Sequence, residues 1–400
     1  MFNVFISFTL TTLQKVRMRS ELFKEERVGL LKGPLSFSRF MVIGEWPSDF
    51  TEMIDRQLRQ YAFQDLAGST DEKTMGWTGI ENILDTDFSH ASYVWGDYLL
   101  FSMRIDRRAV PPSLLKIRVM EAEKHYLKET GRKKIDRIAR EELREGVRRD
   151  LMSHIHPTPS FFDICWCVSG GTVLLTSLSE KVMQDFQDFF KTSFEWVPCP
   201  FVPWDPHVLI QKDADKINLL DSDGSSGIDQ KSPGREFLTW LWFKSEERDG
   251  IIMIPDSGET EIHLMRRLVL ESGDGEYSES VVCQGMHADL KEGREALRQG
   301  KKIREARIQL TRDAATWEFT FKADRFQFQS LKMPVVMEPD EEGDNPDGHV
   351  LERIYLLETV IRTMDQLFTM FLSLRRSGEW QQEQTRMERW LQTTLKRDAP

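Results

Sequence analysis

The sequence predicts an α+β protein of several lobes, built from antiparallel sheets, a charged helical-hairpin arm and a C-terminal helical hairpin. Three observations predict this class. Short runs of alternating apolar and polar residues are separated by turn-forming pairs such as Gly-Asp and Gly-Gly, which is typical of antiparallel strands. Residues 110–156 combine a helical apolar period with many charges. A second helical pattern occupies residues 349–400.

The chain before the arm is predicted to form strands and one helix. Residues 29–42 alternate as a half-buried strand should, and residues 49–62 carry apolar side chains at a spacing of four, as in a short amphipathic helix. The Met-Gly-Trp segment at 75–77 is expected to be a turn with an aromatic anchor. Residues 93–105 are then expected to form a strand pair or one long bent strand around Gly-Asp at 96–97, two residues that favour a tight hairpin.

The arm is predicted as two helices joined at Thr130 and Gly131. Proline cannot continue a helix backwards, so Pro111 and Pro112 mark the start, with Ser113 as a good N-cap. Helical spacing relates two sets of mostly apolar side chains, which are Leu114, Ile117, Met120, Lys124 and Leu127, then Ile135, Ile138, Leu143, Val147 and Leu151.

Charge sets the arm apart from the rest of the chain. Residues 104–149 contain fifteen Lys and Arg against eight Asp and Glu, a local charge of +7, whereas the whole chain carries −11. A basic helical segment on an acidic chain favours an electrostatic task. The alternative is a solvated face laced with salt bridges, which is what most charged helices are. The overall acidity argues against general binding to polyanions but is compatible with a local basic groove.

The rest of the chain continues the α+β pattern. Two strands around Gly-Gly at 170–171 precede a helix over 180–192, and a rigid Pro-rich connector is expected at 198–206. The later predicted elements are a helix or strand at 236–244, strands at 250–255, 261–270 and 280–284, a helix at 290–299, strands at 301–311, 316–323 and 326–334, and helices at 350–374 and 379–395. The C-terminal pair of helices is expected either to cap the core or to form an oligomer contact.

These patterns divide the chain into eight segments. They are an N-terminal extension (1–28) within which Met18 is an alternative start, the first part of a β-rich lobe (29–109), the basic arm (110–156), a β-hairpin and helix lobe (157–206), an acidic loop (207–235), a second α+β lobe (236–335), an acidic linker (336–348) and the C-terminal helical hairpin (349–400).

Composition points to a cytoplasmic protein without a membrane segment. The N-terminal apolar run has no basic residues before it and no small-residue cleavage site, and no other segment is apolar enough to cross a bilayer. The four cysteines form neither a CxxC pair nor a zinc knuckle. Cys165 and Cys167 flank one residue of an apolar strand, so buried reduced thiols are expected.

Catalytic and metal-binding signatures are absent from the sequence. There is no Walker loop, no GxGxxG after a strand, no HExxH and no GxSxG. His154 and His156 could suggest a metal pair, but a role at a helix C-terminus, where a cation meets the dipole, explains His154 better. The carboxylates near Asp205, near Asp274 and at 338–347 lie in turn-like or linker sequence. We therefore predict no cofactor, no metal and no enzymatic activity.

The order of several features resembles the RdgC family of bacterial recombination-associated proteins. They are GLLKGPLSFSRF at 29–40, Met-Gly-Trp at 75–77 ahead of a strand pair, Val-Pro-Pro-Ser at 110–113 opening a charged helical hairpin, Pro157 with the aromatic run containing Trp166, the Gly-Gly turn, and Gly-Lys-Lys at 300–302 before a strand pair ending near Phe321. The likeness runs from about residue 29 to residue 334.

The resemblance implies a ring-forming fold and a nucleic-acid function. It implies a cytoplasmic, nucleoid-associated homodimer that closes into a ring, binds duplex DNA without sequence preference and restrains the RecA recombinase, although the family also carries an exonuclease label. Two departures concern contacts of the family. Residues 157–162 lack the expected Arg, leaving Phe161 and Phe162 as candidates to close the dimer. At 282–284, where a basic finger is expected, only Gln284 is polar.

The residues that could bind DNA phosphates come from the arm and from a second basic stretch at 291–312, which has eight Lys and Arg against three Glu. They are Arg104, Arg107, Arg108, Lys116, Arg118, Arg132, Lys133, Lys134, Arg144, Arg148 and Arg149, followed by Lys301, Lys302 and Arg304. Contacts of this kind position a protein on DNA without reading bases. Two alternatives to DNA binding remain: a metal-dependent exonuclease, and an oligomeric interaction module in which the helices contact only protein.

Overall fold

The structure is a computed structural model that describes residues 29–44, 47, 49–65, 71–204, 233–255, 258–272, 279–284, 291–334 and 346–392. Within these residues the chain divides into two compact units. Unit 1 comprises Gly44–Cys165 and Asp188–Trp196, and unit 2 comprises residues 29–43, Trp166–Gln187 and residues 197–392. The predictions for residues 1–28, 207–232, 274–277 and 336–345 lie outside the described part of the chain.

Strands and helices fall mostly where the sequence pattern predicts them. The strands are β1 (Leu35–Ile43), β2 (Lys73–Gly79), β3 (Val94–Trp95), β4 (Tyr98–Arg107), β5 (Thr158–Cys167), β6 (Thr172–Leu175), β7 (Val197–Pro200), β8 (Ile251–Ile254), β9 (Gly258–Glu271), β10 (Ser280–Gln284), β11 (Lys302–Arg312), β12 (Ala315–Lys322) and β13 (Gln327–Lys332). The helices are α1 (Phe50–Gln60), α2 (Pro112–Thr130), α3 (Arg137–His154), α4 (Glu180–Phe194), α5 (Pro233–Glu246), α6 (Lys291–Arg298), α7 (Pro346–Arg376) and α8 (Trp380–Gln392). The predicted α+β class with antiparallel sheets is confirmed.

Unit 1 contains a small sheet in the order β5-β4-β2, in which β4 pairs antiparallel with β2 and forms a hairpin with β3. Gly96 takes φ +62° in that hairpin, as its predicted turn requires. Trp77 fills the centre of the unit, where its ring lies 5.2 Å from Phe101 and its indole N–H donates to Ser193 at 2.9 Å. The aromatic core of this unit is the platform from which the arm leaves.

The expected turn at 75–77 is wrong, because these residues lie within β2. The backbone N–H of Trp77 donates to Tyr61 at 3.0 Å, and that of Phe63 donates to Trp77 at 2.9 Å. A Cβ on Gly76 would stand 2.1 Å from the Cα of Phe63. The glycine therefore permits a close approach of two backbone segments and does not form a turn.

Unit 2 is built on a larger sheet in the order β10-β9-β11-β12-β13-β1-β6, with β7 paired to β1 and β8 paired to β9. All of these strand pairs are antiparallel. Aromatic rings of α5 and α7 pack against each other, as Phe237 lies 5.3 Å from Phe368 and 5.8 Å from Phe371, and Phe237 also lies 6.5 Å from Phe321 of β12. The Gly-Gly turn is also confirmed, with Gly171 at φ +60°.

Two predictions about the first strand and the Pro-rich connector need correction. β1 is buried on both faces rather than half-buried, and even Ser38 and Arg39 are covered. The first part of the connector is β7, which pairs with residues 40–43 of β1. Pro198 and Pro200 are compatible with a strand here because β7 pairs on one side with β1, and proline is tolerated at such edge positions.

The C-terminal helices answer the question that the sequence left open. α7 buries an apolar face in unit 2, which includes Ile354, Leu357, Met364 and Phe371, so it caps the core. α7 begins at Pro346, inside the predicted acidic linker, and α5 begins at Pro233, inside the predicted acidic loop. Among the described helices, none combines the length and the apolar character that crossing a membrane requires.

All four cysteines are free thiols. Cys165 and Cys283 are buried as expected, whereas Cys167 and Cys199 are half-buried. Cys165 and Cys167 both lie in β5, which confirms the predicted strand.

Candidate nucleic-acid interface

The arm is a helical hairpin, as the sequence predicts. α2 ends at Gly131, which takes the left-handed φ of +65° that closes many helices. α3 begins after Asp136, whose carboxylate accepts a hydrogen bond from the backbone N–H of Ala139 at 2.8 Å. That bond satisfies one of the free N–H groups of the first turn. Both sides of the turn between the helices are therefore stabilised locally.

The predicted N-cap of α2 is wrong. Pro111 is the N-cap residue, Pro112 is the first helical residue, and no side chain caps the helix by a hydrogen bond. Proline suits the first helical position because its φ is already helical and an N–H there would have no helical partner. Ser113 therefore lies inside the first turn.

The cations of the arm are concentrated at its tip, which we define as residues 124–140. The tip contains seven Lys and Arg against two Asp and Glu, whereas residues 141–150 contain three Arg against four Asp and Glu. Arg132 lies 3.7 Å from Asp136, and Arg140 binds Glu123 at 2.8 Å. The exposed tip cations that have no ion-pair partner among the described residues are Lys124, Lys128, Lys133, Lys134 and Arg137.

The sequence prediction includes Lys133 and Lys134 but omits three of these exposed cations. Lys124 stands at the helical spacing of the apolar set, which makes it look like a covered position. However, α2 has no buried residue over its nineteen positions. The density of Lys and Arg within 124–140 was the signal that could have identified Lys124, Lys128 and Arg137.

The base of the arm is held by ion pairs. Arg148 forms an ion pair with Glu72, which directly precedes β2, and lies 3.9 Å from Glu145 on its own helix. A cleft of about 480 Å³ opens here and is lined in part by Arg108 and Arg144. Arg144 is exposed and has no ion-pair partner in the described part of the chain. The base therefore combines anchoring contacts with one available cation.

The remaining predicted cations on α2 and α3 differ in how free they are to bind a phosphate. Lys116 is exposed and has no ion-pair partner within the described ranges. Arg118 binds Glu121 at 2.9 Å on the surface of α2. The exposed Arg149 donates from Nε to the carbonyl of Glu145 at 3.4 Å. Exposed pairs of this kind are weak, so Arg118 could still exchange its carboxylate for a phosphate.

Three predicted cations lie at the end of β4, below the arm. Arg104 donates to both carboxylate oxygens of the buried Asp106, at 2.7 and 2.8 Å, and its guanidinium lies 3.9 Å from the ring centre of Phe63. Arg107 and Arg108 are half-buried and also engaged by other groups. The structure thus gives Arg104 a packing role at the root of the arm.

The second basic stretch lies in unit 2 and is lined with carboxylates. Lys301 binds Glu279 at 3.0 Å and its side chain is only 10 % exposed. Arg304 lies 3.2 Å from Glu271 and 3.6 Å from Asp324. Lys302, half-buried, has an interaction partner as well. The cations Lys301 and Arg304 of this stretch are therefore already paired with carboxylates.

The positions expected to close the dimer and to form a finger lie in strands. Phe161 and Phe162 are half-buried within β5, which begins at Thr158. The Phe161 ring is 5.6 Å from the guanidinium of Arg104. Gln284 is exposed at the end of β10.

The histidines and carboxylates of the described residues do not form a metal site. Within the described ranges, no three side chains of His, Cys, Asp or Glu converge into a group that could hold a metal ion. His154 is the last residue of α3, and its Nδ1 lies 2.8 Å from the backbone carbonyl of Asp150. This contact with the last turn is the C-terminal role that the sequence predicts for His154.

The fold and the arm define an α+β protein with a basic helical hairpin. Residues 40–208 match the sequence model of the RdgC family, described as "Putative exonuclease, RdgC". The match includes the whole arm, and over these residues it confirms the resemblance to the RdgC family seen in the sequence. No curated protein matches the chain.

Proposed function

We propose that this protein binds duplex DNA without sequence preference and that the tip of the arm supplies the main contacts. The observation that carries the proposal is a set of exposed cations at the tip of the arm that have no ion-pair partner among the described residues, on a chain that is acidic overall. DNA phosphates attract such cations, and the release of condensed counterions drives binding. A cation that lies far from acidic side chains has no ion pair to break, so it loses less free energy when it exchanges water for phosphate.

The proposal distinguishes the two basic stretches of the sequence. Lys133 and Lys134 extend from the tip, whereas Lys301 and Arg304 are already neutralised by carboxylates. A phosphate would have to displace Glu279 from Lys301, whose side chain is nearly buried. We therefore assign the second stretch a minor part in DNA binding.

The wider role that we propose follows the RdgC family. The protein would act as a cytoplasmic, nucleoid-associated homodimer that closes into a ring around DNA and limits access of the RecA recombinase. The support for this role is the family match over residues 40–208. It predicts that the protein inhibits RecA-promoted strand exchange only at concentrations at which it covers the duplex.

The direct test is binding of the protein to a labelled random duplex across a salt series in the presence of Mg²⁺. We expect micromolar or tighter binding that weakens steeply as salt rises, with the DNA remaining at full length. The absence of binding at low salt would contradict the proposal and leave the family match without the expected function.

A charge-reversal pair assigns the binding to the tip. Lys133→Glu with Lys134→Glu should weaken binding by more than tenfold at low salt, because two attractive charges become repulsive. The matched control is Arg56→Glu with Arg362→Glu, which changes the net charge equally at two exposed arginines outside the arm. Equal losses in both variants would show that only net charge matters and would contradict a role of the tip.

Two observations favour other functions. The exonuclease description of the family motivates a nuclease activity, and shortened DNA in the assay with Mg²⁺ would establish it. The apolar side chains of Ile117, Met120 and Ile138 on the arm are 54, 61 and 73 % exposed, which favours a contact with protein. A dimer that shows no salt-sensitive DNA binding would favour that alternative.

A further inference from the structure

One face of α3 loses its contacts step by step from the base of the arm outwards. Met152, Arg148 and Arg144 are spaced four residues apart, so they lie on the same face of the helix. Met152 is 4 % exposed and anchors the end of α3. One turn further out, Arg148 forms an ion pair with Glu72, the residue before β2. A further turn out, Arg144 is exposed and has no ion-pair partner in the part of the chain that the structure describes.

The cleft of about 480 Å³ at the base of the arm lies beside this face. Arg144, Arg148 and Met152 line it from α3, and Leu115 lines it from α2. Glu72 lines it from the strands, so the ion pair between Arg148 and Glu72 joins α3 to the strand side of the cleft. The cleft therefore leaves room for α3 to move relative to the end of β4 and the start of β2.

Two short connectors join the arm to the strands. They are residues 108–111, before α2, and residues 155–157, after α3, and neither belongs to a helix or a strand. None of these seven residues is buried. The backbone N–H of Arg108 donates to the carbonyl of Glu72 at 2.9 Å, which fixes the start of the first connector. The connectors thus attach the arm without fixing its angle by burial.

We propose that the ion pair between Arg148 and Glu72 is a latch that sets the angle of the arm, and that the arm pivots about Met152 when the pair opens. The side chains of Arg148 and Glu72 are 41 and 57 % exposed, and exposed pairs of this kind are weak and are screened by salt. The latched and unlatched arm are therefore close in free energy.

The length of α3 amplifies a small rotation at its base. From Met152 to Arg137 the helix extends about 22 Å, at about 1.5 Å per residue, so a rotation of about 10° displaces the tip by about 4 Å. The latch thereby controls where the exposed cations of the tip lie. This inference concerns the arm itself and holds whether or not the tip binds DNA.

The test is the distance between the tip and α1, measured with two nitroxide labels by double electron–electron resonance. The labels are attached at Glu129→Cys and Glu52→Cys, two exposed positions, in a chain with Cys167→Ser and Cys199→Ser. Cys165 and Cys283 are 3 % exposed and stay unlabelled. An excess of unlabelled protein excludes distances between copies. At low salt the parent should give one narrow distribution, and Glu72→Gln should broaden it and displace its mean by about 4 Å.

Glu141→Gln is the matched control. It removes the same charge from the lining of the same cleft, but Glu141 has no ion-pair partner among the described residues, so the distribution should remain that of the parent. The exchanged pair, Glu72→Arg with Arg148→Glu, should restore the narrow distribution. That rescue separates loss of the ion pair from a general loosening of the fold by the change at position 72.

Salt provides a second readout without a substitution. Salt of about 1 M should broaden the distribution of the parent as Glu72→Gln does, and it should leave Glu72→Gln unchanged, because the pair that salt screens is already absent. An unchanged distribution in Glu72→Gln, equal broadening in Glu141→Gln, or no rescue by the exchanged pair would overturn the latch. All of these measurements are made without DNA, so their failure is distinct from a failure of the proposed function.

Discussion

Arg39 is a buried cation that is paired with a carboxylate. It lies in the middle of β1 with 3 % of its side chain exposed, and its guanidinium forms two bonds of 2.9 Å with Asp365 of α7. The ring of Phe201 lies 4.2 Å away. A buried guanidinium is tolerated only with such a partner, because removal from water costs several kcal/mol. This pair connects β1 of the unit 2 sheet to α7.

Asp365→Ala should therefore destabilise unit 2 by about 3 kcal/mol, since it leaves a buried positive charge without its carboxylate. Replacing the pair with Arg39→Met and Asp365→Leu should recover much of that loss, because apolar pairs of similar volume avoid the desolvation cost. Urea unfolding of the three proteins measures the effect. A single variant within 1 kcal/mol of the parent would contradict the assigned role.

Glu383 is a buried carboxylate with a shifted titration. It accepts a hydrogen bond from the indole N–H of Trp240 at 3.0 Å and lies 2.6 Å from the ammonium of Lys244. Burial by itself raises the pKa of Glu383, but the hydrogen bond and charge of Lys244, with Trp240 and Arg386, lower the pKa overall below its usual 4.5. The charged form is therefore the stabilising one in the folded protein.

The lowered pKa of Glu383 determines how the stability of the fold depends on pH. A carboxylate with a lowered folded pKa stabilises the fold above pH 4.5, and this contribution is lost as pH falls through the folded pKa. Glu383→Gln should cost about 2 kcal/mol at pH 7, and the difference from the parent should shrink below pH 4.5. Glu388→Gln, an exposed position on the same helix, serves as control. A difference that stays constant from pH 7 to pH 3 would argue against the ion pairs.

At the scale of elements, the arm depends on its own local signals because little of it is buried. Met152 is the only buried residue of α3, and α2 has none. Helices with so little tertiary burial need good caps and favourable charges to remain formed. Local contacts therefore matter more for the arm than for the buried helices. They are the caps at Gly131 and Asp136 and the ion pair between Arg148 and Glu72.

Asp136→Ala tests the cap of α3. Loss of the bond to the Ala139 N–H should destabilise the start of α3 by about 1 kcal/mol and speed hydrogen exchange of its first-turn amides. Asp150→Ala is the control, since an Asp in the last turn opposes the helix dipole and its removal should cost nothing. Unchanged exchange at residues 137–141 in Asp136→Ala would show that the cap is unimportant.

At the scale of the whole molecule, periodicity predicts elements better than it predicts their surroundings. The strand over 280–284 was predicted at its observed bounds, and the two C-terminal helices were placed within four residues at each end. The turn expected at 75–77 failed because glycine can also permit close backbone approach, as Gly76 does beside Phe63. Which use applies depends on a segment that is close in space but separate along the chain, and a single sequence does not show that contact.

The candidate site was predicted in composition but not in detail. The basic arm and its turn follow from charge counts, proline and glycine. Ion pairing does not follow, because the carboxylates that bind Lys301 and Arg304 lie at least twenty residues away along the chain. Only the structure separates the exposed Lys133 from the neutralised Lys301.

The measurement that tests the central claim most directly is the salt dependence of duplex binding by Lys133→Gln with Lys134→Gln. If each lysine neutralises one phosphate, the slope of log K against log salt should become shallower by about 1.8, which is 0.9 for each contact. The matching neutralisation of Arg56 and Arg362 to Gln should leave the slope unchanged. A slope equal to that of the parent protein in the tip variant would contradict the assignment of the tip as the DNA-binding surface.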